Sequence, residues 1–166
     1  MRILVAMSGG VDSSVAALLL QEQGHEVVGL FMRHGKTSAS RAGSCCSASD
    51  ARDARRVADR LGVPFHAVDL TQEFGRLIDD FASAYASGRT PNPCAVCNRD
   101  LKFGRLFGFA EAIDADAVAT GHYARLDAGN GVSLHRGVDA GKDQSYYLFA
   151  VAEEALRRTI LPLGGL

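Results

Sequence analysis

No apolar run in this chain is long enough to span a bilayer. The first residues read as a core strand and do not have the charged-then-apolar order of an export leader, so a cytoplasmic location and no membrane partner are expected. Cysteine is scarce. Cys45, Cys46, Cys94 and Cys97 are the whole complement, and in a reducing compartment they read as thiols or ligands rather than as structural disulfides. Charge of neither sign dominates: 18 Lys and Arg against 19 Asp and Glu leave a net charge of −1. The whole-chain field therefore does not advertise a nucleic-acid partner, although a local patch can still bind one. Around the second cysteine pair Arg89, Arg99, Lys102 and Arg105 outweigh Asp100, yet on charge alone a solvated helix face is the simpler reading. Internal repeats are absent.

What is present is ordinary for one soluble domain: 166 residues, 47% hydrophobic and 22% charged. Residues 1–166 are taken as a single unit. Strand and helix signals alternate along it. Ile3–Met7 and His25–Phe31 read as strands, with Val15–Leu20 helical between them and Gly24 ending that helix. The polar stretch from His34 to Ser44 reads as a loop. A helix is expected from about Ser47 to Leu61, capped by Ser47 or Ser49 and stopped by Gly62. Val63–Asp69 reads as a strand and Thr71–Ser87 as a helix. The prolines of Arg89–Pro93 exclude a helix throughout that segment. A helix is then expected from near Asn98 to Ile113, a buried strand over Ala117–Thr120, and a hairpin of Tyr123–Asp127 with Val132–Arg136. Short helices are expected from there to Pro162. The alternation predicts an α/β fold with a doubly wound parallel sheet and right-handed crossovers.

In such sheets ligands bind beyond the carboxyl ends of the strands. Three segments fall on that edge: Ser8–Ser14, Met32–Arg33 and Thr120–His122. The first, Ser8-Gly9-Gly10-Val11-Asp12-Ser13-Ser14, joins a strand to a helix through two glycines. Its backbone N–H groups and the helix dipole suit a pyrophosphate. The loop has no lysine and no G-x-x-x-x-G-K-[ST] pattern, so it is not a Walker cradle for a γ-phosphate. It resembles the PP-loop of the N-type ATP pyrophosphatases, which cleave ATP between the α and β phosphates. A plain strand-to-helix turn is the bland alternative.

Cys94-Ala95-Val96-Cys97 follows Pro-Asn-Pro and opens a helix. A thiol at a helix start beside Arg99 and Lys102 is expected to have a lowered pKa. Three readings stay open on the residues alone: a buried structural pair, a metal or iron–sulfur ligand pair, and a nucleophilic or sulfur-carrying cysteine. Cys45-Cys46, at a loop-to-helix junction, reads more simply as part of a variable loop.

Five strings now stand in order: the Ser8–Ser14 loop; Gly29-Leu30-Phe31-Met32; Thr90-Pro91-Asn92-Pro93-Cys94-Ala95-Val96-Cys97-Asn98-Arg99-Asp100-Leu101-Lys102-Phe103-Gly104; Ala119-Thr120-Gly121-His122-Tyr123-Ala124-Arg125; and Gly141-Lys142-Asp143-Gln144-Ser145-Tyr146-Tyr147-Leu148. The set resembles the tRNA-specific 2-thiouridylases, which thiolate the wobble uridine of certain tRNAs. The resemblance implies an adenine nucleotide α-hydrolase-like fold, ATP with Mg²⁺, a tRNA substrate and a persulfide sulfur-donor protein. It implies ATP binding by Ala6, Met7, Ser8, Gly9, Gly10, Val11, Asp12, Ser13, Met32 and Gly121. Cys97 matches the nucleophile. Asn92, Pro93 and Cys94 fall where the family meets the target base; His122 and Lys142, Asp143 and Gln144 match tRNA contacts.

Two departures stand out. Many members carry Asp where this chain has Cys94, which leaves a cluster on Cys94 and Cys97 as an alternative. The family's second catalytic cysteine has no counterpart after Cys97. The resemblance thus implies the N-terminal catalytic part of a longer enzyme, inactive in thiolation by itself. An AMP-forming amide synthetase using the same loop, and a metal or iron–sulfur module, are the competing functions. The first needs an ammonia source, and no cysteine follows Met1 to start a glutaminase.

Overall fold

A computed structural model describes residues 1–33, 48–129 and 131–166. The expected loop at His34–Ser44, the Cys45-Cys46 pair and the Ser47 cap lie outside the described residues. Five strands form a parallel sheet in the order β3-β2-β1-β4-β7, where β1 is Arg2–Ala6, β2 Glu26–Arg33, β3 Phe65–Asp69, β4 Ala117–Ala119 and β7 Thr159–Ile160. An antiparallel hairpin, β5 Ala124–Asp127 with β6 Ser133–Arg136, stands apart from it.

The period-2 geometry of β1 sorts its side chains to two faces. Ile3 and Val5 pack with Ala17 and Leu20 of helix α1 (Val11–Glu22) and with Ala54 and Ala58 of helix α2 (Ala48–Leu61). Leu4, with Val28 and Val118, packs on Leu106 and Ala110 of helix α5 (Gly104–Ala112). Helices thus cover both faces, which is why β1, β2 and β4 read as near-continuous apolar runs. A third cluster, Phe103, Ala124, Leu148, Val151 and Leu156, ties the hairpin to the C-terminal segment.

The doubly wound α/β expectation holds, with three local differences. Helix α1 begins at Val11, four residues before the apolar run, because the serines of its first turn bond back to Gly10 rather than extending the loop. The helix expected from Asn98 begins at Pro93: α4 (Pro93–Val96) runs into a π-helical turn, Cys97–Phe103, and then α5. Proline at the first helical position supports a start there because its missing N–H has no partner to lose. The C-terminal region is not helical throughout. Between helix α6 (Glu153–Arg157) and Pro162 lies β7, which pairs Thr159 with Val118 and Ile160 with Ala119. Two residues are too few to leave a period in the sequence.

Candidate nucleotide and acceptor site

Strand β1 has β2 on one side and β4 on the other, with its own crossover leading to β2, so the β1–β4 gap is a topological switch point. The loop after β1 and Thr120–His122 after β4 flank this gap. Ser13 accepts at Oγ from the Ser8 N–H (3.1 Å) and donates to the Gly10 carbonyl (3.1 Å). With its one proton so used, it accepts again from the Ser8 hydroxyl at 3.2 Å. Ser14 donates to the same Gly10 carbonyl at 2.9 Å. The hydroxyls are therefore spent on shaping the loop. No side chain caps α1, whose N-cap is Gly10, so its first-turn N–H groups are left to an anion.

Two glycines allow the packing. Gly9 has φ +83, and a Cβ there would collide with the Asp50 carbonyl in the first turn of α2. A Cβ on Gly121 would lie 2.8 Å from the Ser13 nitrogen. The loop is thus closed on both sides by backbone. Ala6 and Met7 end the strand that carries it, the Met7 N–H pairing with the Leu30 carbonyl at 2.8 Å. Met32 is buried at the end of β2, while Val11 projects into solvent at the mouth of the loop.

Asp12, in the first turn of α1, accepts a hydrogen bond at Oδ1 from the Tyr123 phenol at 3.1 Å. Sequence reasoning missed Tyr123; only its place in the Ala119–Arg125 string pointed to it. Burial, then the Asp12 carboxylate, raises its phenol pKa, so it stays a proton donor. The Tyr123 N–H donates to Gln144 Oε1 (3.2 Å), and the Gln144 N–H donates to the Tyr123 carbonyl (2.8 Å). Lys142 Nζ lies 5.5 Å from the centre of the Tyr123 ring. Asp143 accepts from the N–H groups of Gly137 (2.9 Å) and Ser145 (3.2 Å) and from the Ser145 hydroxyl (3.1 Å). These bonds, the Gly137 N–H first, hold its carboxyl below its ordinary pKa. Of the three residues expected to meet tRNA here, Asp143 and Gln144 tie the backbone together and Lys142 is the exposed one.

His122 is half-buried. Its Nδ1 is 2.7 Å from Thr120 Oγ1, and its ring stacks on Phe103 at 6.3 Å. Burial, and secondly the Lys102 ammonium, push its pKa down to about 3. It is a neutral imidazole at physiological pH, able to exchange hydrogen bonds but not to neutralise a phosphate.

The cysteine segment abuts the same edge through Phe103. Asn92 caps α4, its Oδ1 accepting the Ala95 N–H at 3.1 Å, and Pro93 follows it. Cys94 is exposed in the first turn; Cys97 is half-buried at the start of the π turn. The Gly104 N–H reaches back to Arg99 O, five residues earlier, and a Cβ on Gly104 would sit 3.2 Å from that oxygen. Such turns are frequent at functional sites. The cationic patch read around the cysteines is smaller in the fold. Arg99 grips Asp100 in a bidentate pair (2.6 and 2.8 Å), raising its own pKa and lowering that of Asp100, and Arg105 bonds Glu73 at 2.9 Å. Lys102 makes no ion pair among the described residues. There too, no group of three His, Cys, Asp or Glu side chains is placed to hold a metal.

A doubly wound sheet with an uncapped glycine loop at its switch point defines a nucleotide-binding α/β protein. Residues 1–166 match the family model described as the tRNA methyl transferase HUP domain, and the chain belongs to that family. It is 55% identical over 168 residues to the tRNA-specific 2-thiouridylase MnmA of Mycobacteroides abscessus, covering 99% of this chain and 46% of that one. It is 49% identical over 194 residues to the protein of the same name from Rhodopirellula baltica, covering 98% and 49%. The chain thus spans about half the length of the curated relatives it matches. Among solved structures, a predicted subunit of tRNA methyltransferase from Methanocaldococcus jannaschii shares the fold. It has a TM-score of 0.50 and 20% identity, over 100% of this chain and 69% of that one. No helix of the described residues is long and apolar enough to cross a membrane.

Proposed function

We propose that this chain carries out the ATP-dependent activation step in the 2-thiolation of the wobble uridine of tRNA, and supplies Cys97 to the sulfur-transfer step. What supports the reading is one juxtaposition. The uncapped N–H nest of the Ser8–Ser14 loop and the cysteine-bearing helix share an edge of the sheet, joined where Phe103 stacks on His122. The nest takes the pyrophosphate of ATP. The uracil O2 attacks the α-phosphate and pyrophosphate leaves, so charge grows on oxygens already faced by fixed N–H donors. Asp12 fits a Mg²⁺ ion: one carboxylate oxygen is held by Tyr123, and a single carboxylate with phosphate oxygens is the usual ligand set. The ion supplies charge neutralisation at the phosphates.

The product is an O2-adenylated uridine whose C2 is electrophilic. A persulfide, delivered by a donor protein from outside residues 1–166, meets the Cys97 thiolate. Attack on its inner sulfur forms a disulfide and releases HS⁻. HS⁻ then adds at C2, AMP leaves, and one proton is lost to give the thiocarbonyl. The disulfide is reduced by a thiol before the next turnover. By its chemistry the chain acts in the cytoplasm, where tRNA and ATP are found.

The test is pyrophosphate–ATP exchange with tRNA present. Exchange is expected with the wild-type chain, at least about a hundredfold less with Asp12→Ala, and close to wild-type with Cys97→Ser. Release of ADP and phosphate would reject the assignment. Dependence on glutamine or ammonia instead of tRNA would make the chain an amide synthetase.

A further inference from the structure

Among the described residues, three of the four exposed aromatic side chains fall within four residues: Tyr146, Tyr147 and Phe149, with exposures of 66%, 41% and 62%. Their rings touch. The Tyr146 and Phe149 centroids are 5.7 Å apart at 43°, and those of Tyr146 and Tyr147 are 5.8 Å apart at 75°. The backbone under them is held firmly. Leu148 is fully buried in the third core cluster, Asp143 staples Gly137 to Ser145, and the Tyr147 carbonyl accepts Asn98 Nδ2 at 2.9 Å. Asn98 is itself buried and is the residue after Cys97. The aromatic cluster and the thiol are therefore set at a fixed offset by one side chain. Grouped exposed aromatics on a rigid turn are costly and mark a binding surface.

The neighbouring charges favour RNA. Lys142, on the same segment, is exposed and makes no ion pair among the described residues, and the half-buried Lys102 beside His122 makes none there either. Cations and exposed aromatic rings on one short segment are the equipment for single-stranded nucleic acid: each base has a face to stack and each link has a phosphate. We propose that Tyr146 and Phe149 form a stacking platform for a base of single-stranded RNA next to the modified uridine, with Lys142 meeting the adjoining phosphate. This rests on the tRNA reading above. Tyr147, packed edge-on against Tyr146, braces the platform.

The probe is a fluorescent RNA hairpin with a uridine in its loop, titrated with the chain by anisotropy between about 50 and 200 mM salt, with ATP binding measured in parallel. Tyr146→Ala and Phe149→Ala should each weaken RNA binding about tenfold. They should leave ATP affinity and the salt slope alone, and Tyr146→Phe should restore binding. Lys142→Ala should instead reduce the salt slope by about one. If RNA binds the wild-type chain and both alanine variants equally, the platform is wrong and the tRNA reading survives. If the wild-type chain binds ATP but no RNA, both fall. If the alanine variants lose self-association or thermal stability with RNA affinity unchanged, the aromatics are a protein-facing surface and the proposal is overturned.

Discussion

The nucleotide loop and the cysteine segment lie on one edge of the sheet but are built on opposite principles. Around Ser8–Ser14 the fit is between backbones. Gly9 meets Asp50, Gly121 meets Ser13, and the serine hydroxyls close inward on Gly10. Few side chains there are left to adjust. Around Cys94–Phe103 the framework is a short capped helix and a π turn. The chemistry-bearing side chains stand out from it: Cys94 exposed, Cys97 half-buried, Tyr146 and Phe149 in solvent. Its interior also holds an unmet acceptor, since Asn98 Oδ1 is buried without a hydrogen-bond partner in the described structure while Nδ2 holds the Tyr147 carbonyl. A ligand that is always the same can be met by rigid N–H groups. The RNA acceptor proposed above would be met by side chains that can stack and turn.

The contrast can be broken most sharply at Gly9. Alanine there combines a positive φ with a backbone collision, so ATP affinity should fall at least tenfold and stability by about 1–3 kcal/mol. Isothermal titration and urea unfolding measure the two; unchanged affinity would mean that the loop is as adaptable as the cysteine segment.

The seam between the regions has its own signature. His122 has a folded pKa of about 3, below the ordinary 6.5, so between these values the unfolded chain binds a proton that the folded chain refuses. Stability should therefore rise with pH across that window, by up to about 1.4 kcal/mol per pH unit, and gain nothing from this group above it. Urea midpoints of wild type and His122→Gln from about pH 4 to 7 test this. Equal slopes would place the imidazole in solvent.

The smallest effect is expected at the edge of the cysteine segment. Asn92→Ala removes the cap on Ala95 and should cost about 1 kcal/mol. ATP affinity should not move, because the loop shares no hydrogen bond with that cap.

The regions also differed in how far the sequence disclosed them. The loop was legible because its chemistry is local: strand, two glycines and helix are contiguous, and Asp12 lies inside the motif. The sheet followed from alternating apolar runs, except for β7, whose two residues carry no periodicity. Around the cysteines the decisive facts are long-range or off-period. An i→i−5 bond leaves no pattern in a chain scanned at 3.6 residues per turn. The Arg105–Glu73 pair, which removes part of the basic patch, joins residues 32 apart in sequence, and the Tyr123–Asp12 bond joins residues 111 apart. Lys142, Asp143 and Gln144 were singled out together, but their division into one exposed cation and two backbone ties depends on partners that only the fold supplies.

The π turn also bears on which changes of chain length the protein can accept. One residue too many is wound into Cys97–Phe103, and the wider turn absorbs it, so the helices before and after stay in spatial phase although their sequence periods are offset by one residue. Deleting one residue between Cys97 and Gly104 would let the segment relax into ordinary α-helix with its apolar contacts on α5 preserved. Cys94 and Cys97 would keep their direction, and the cost would be the Gly104 N–H bond to Arg99 and the widened turn that it closes. A protein shortened in this way would remain folded with its thiols aimed as before, whereas one residue deleted from the regular turns of α5 would rotate them by about 100° about the axis.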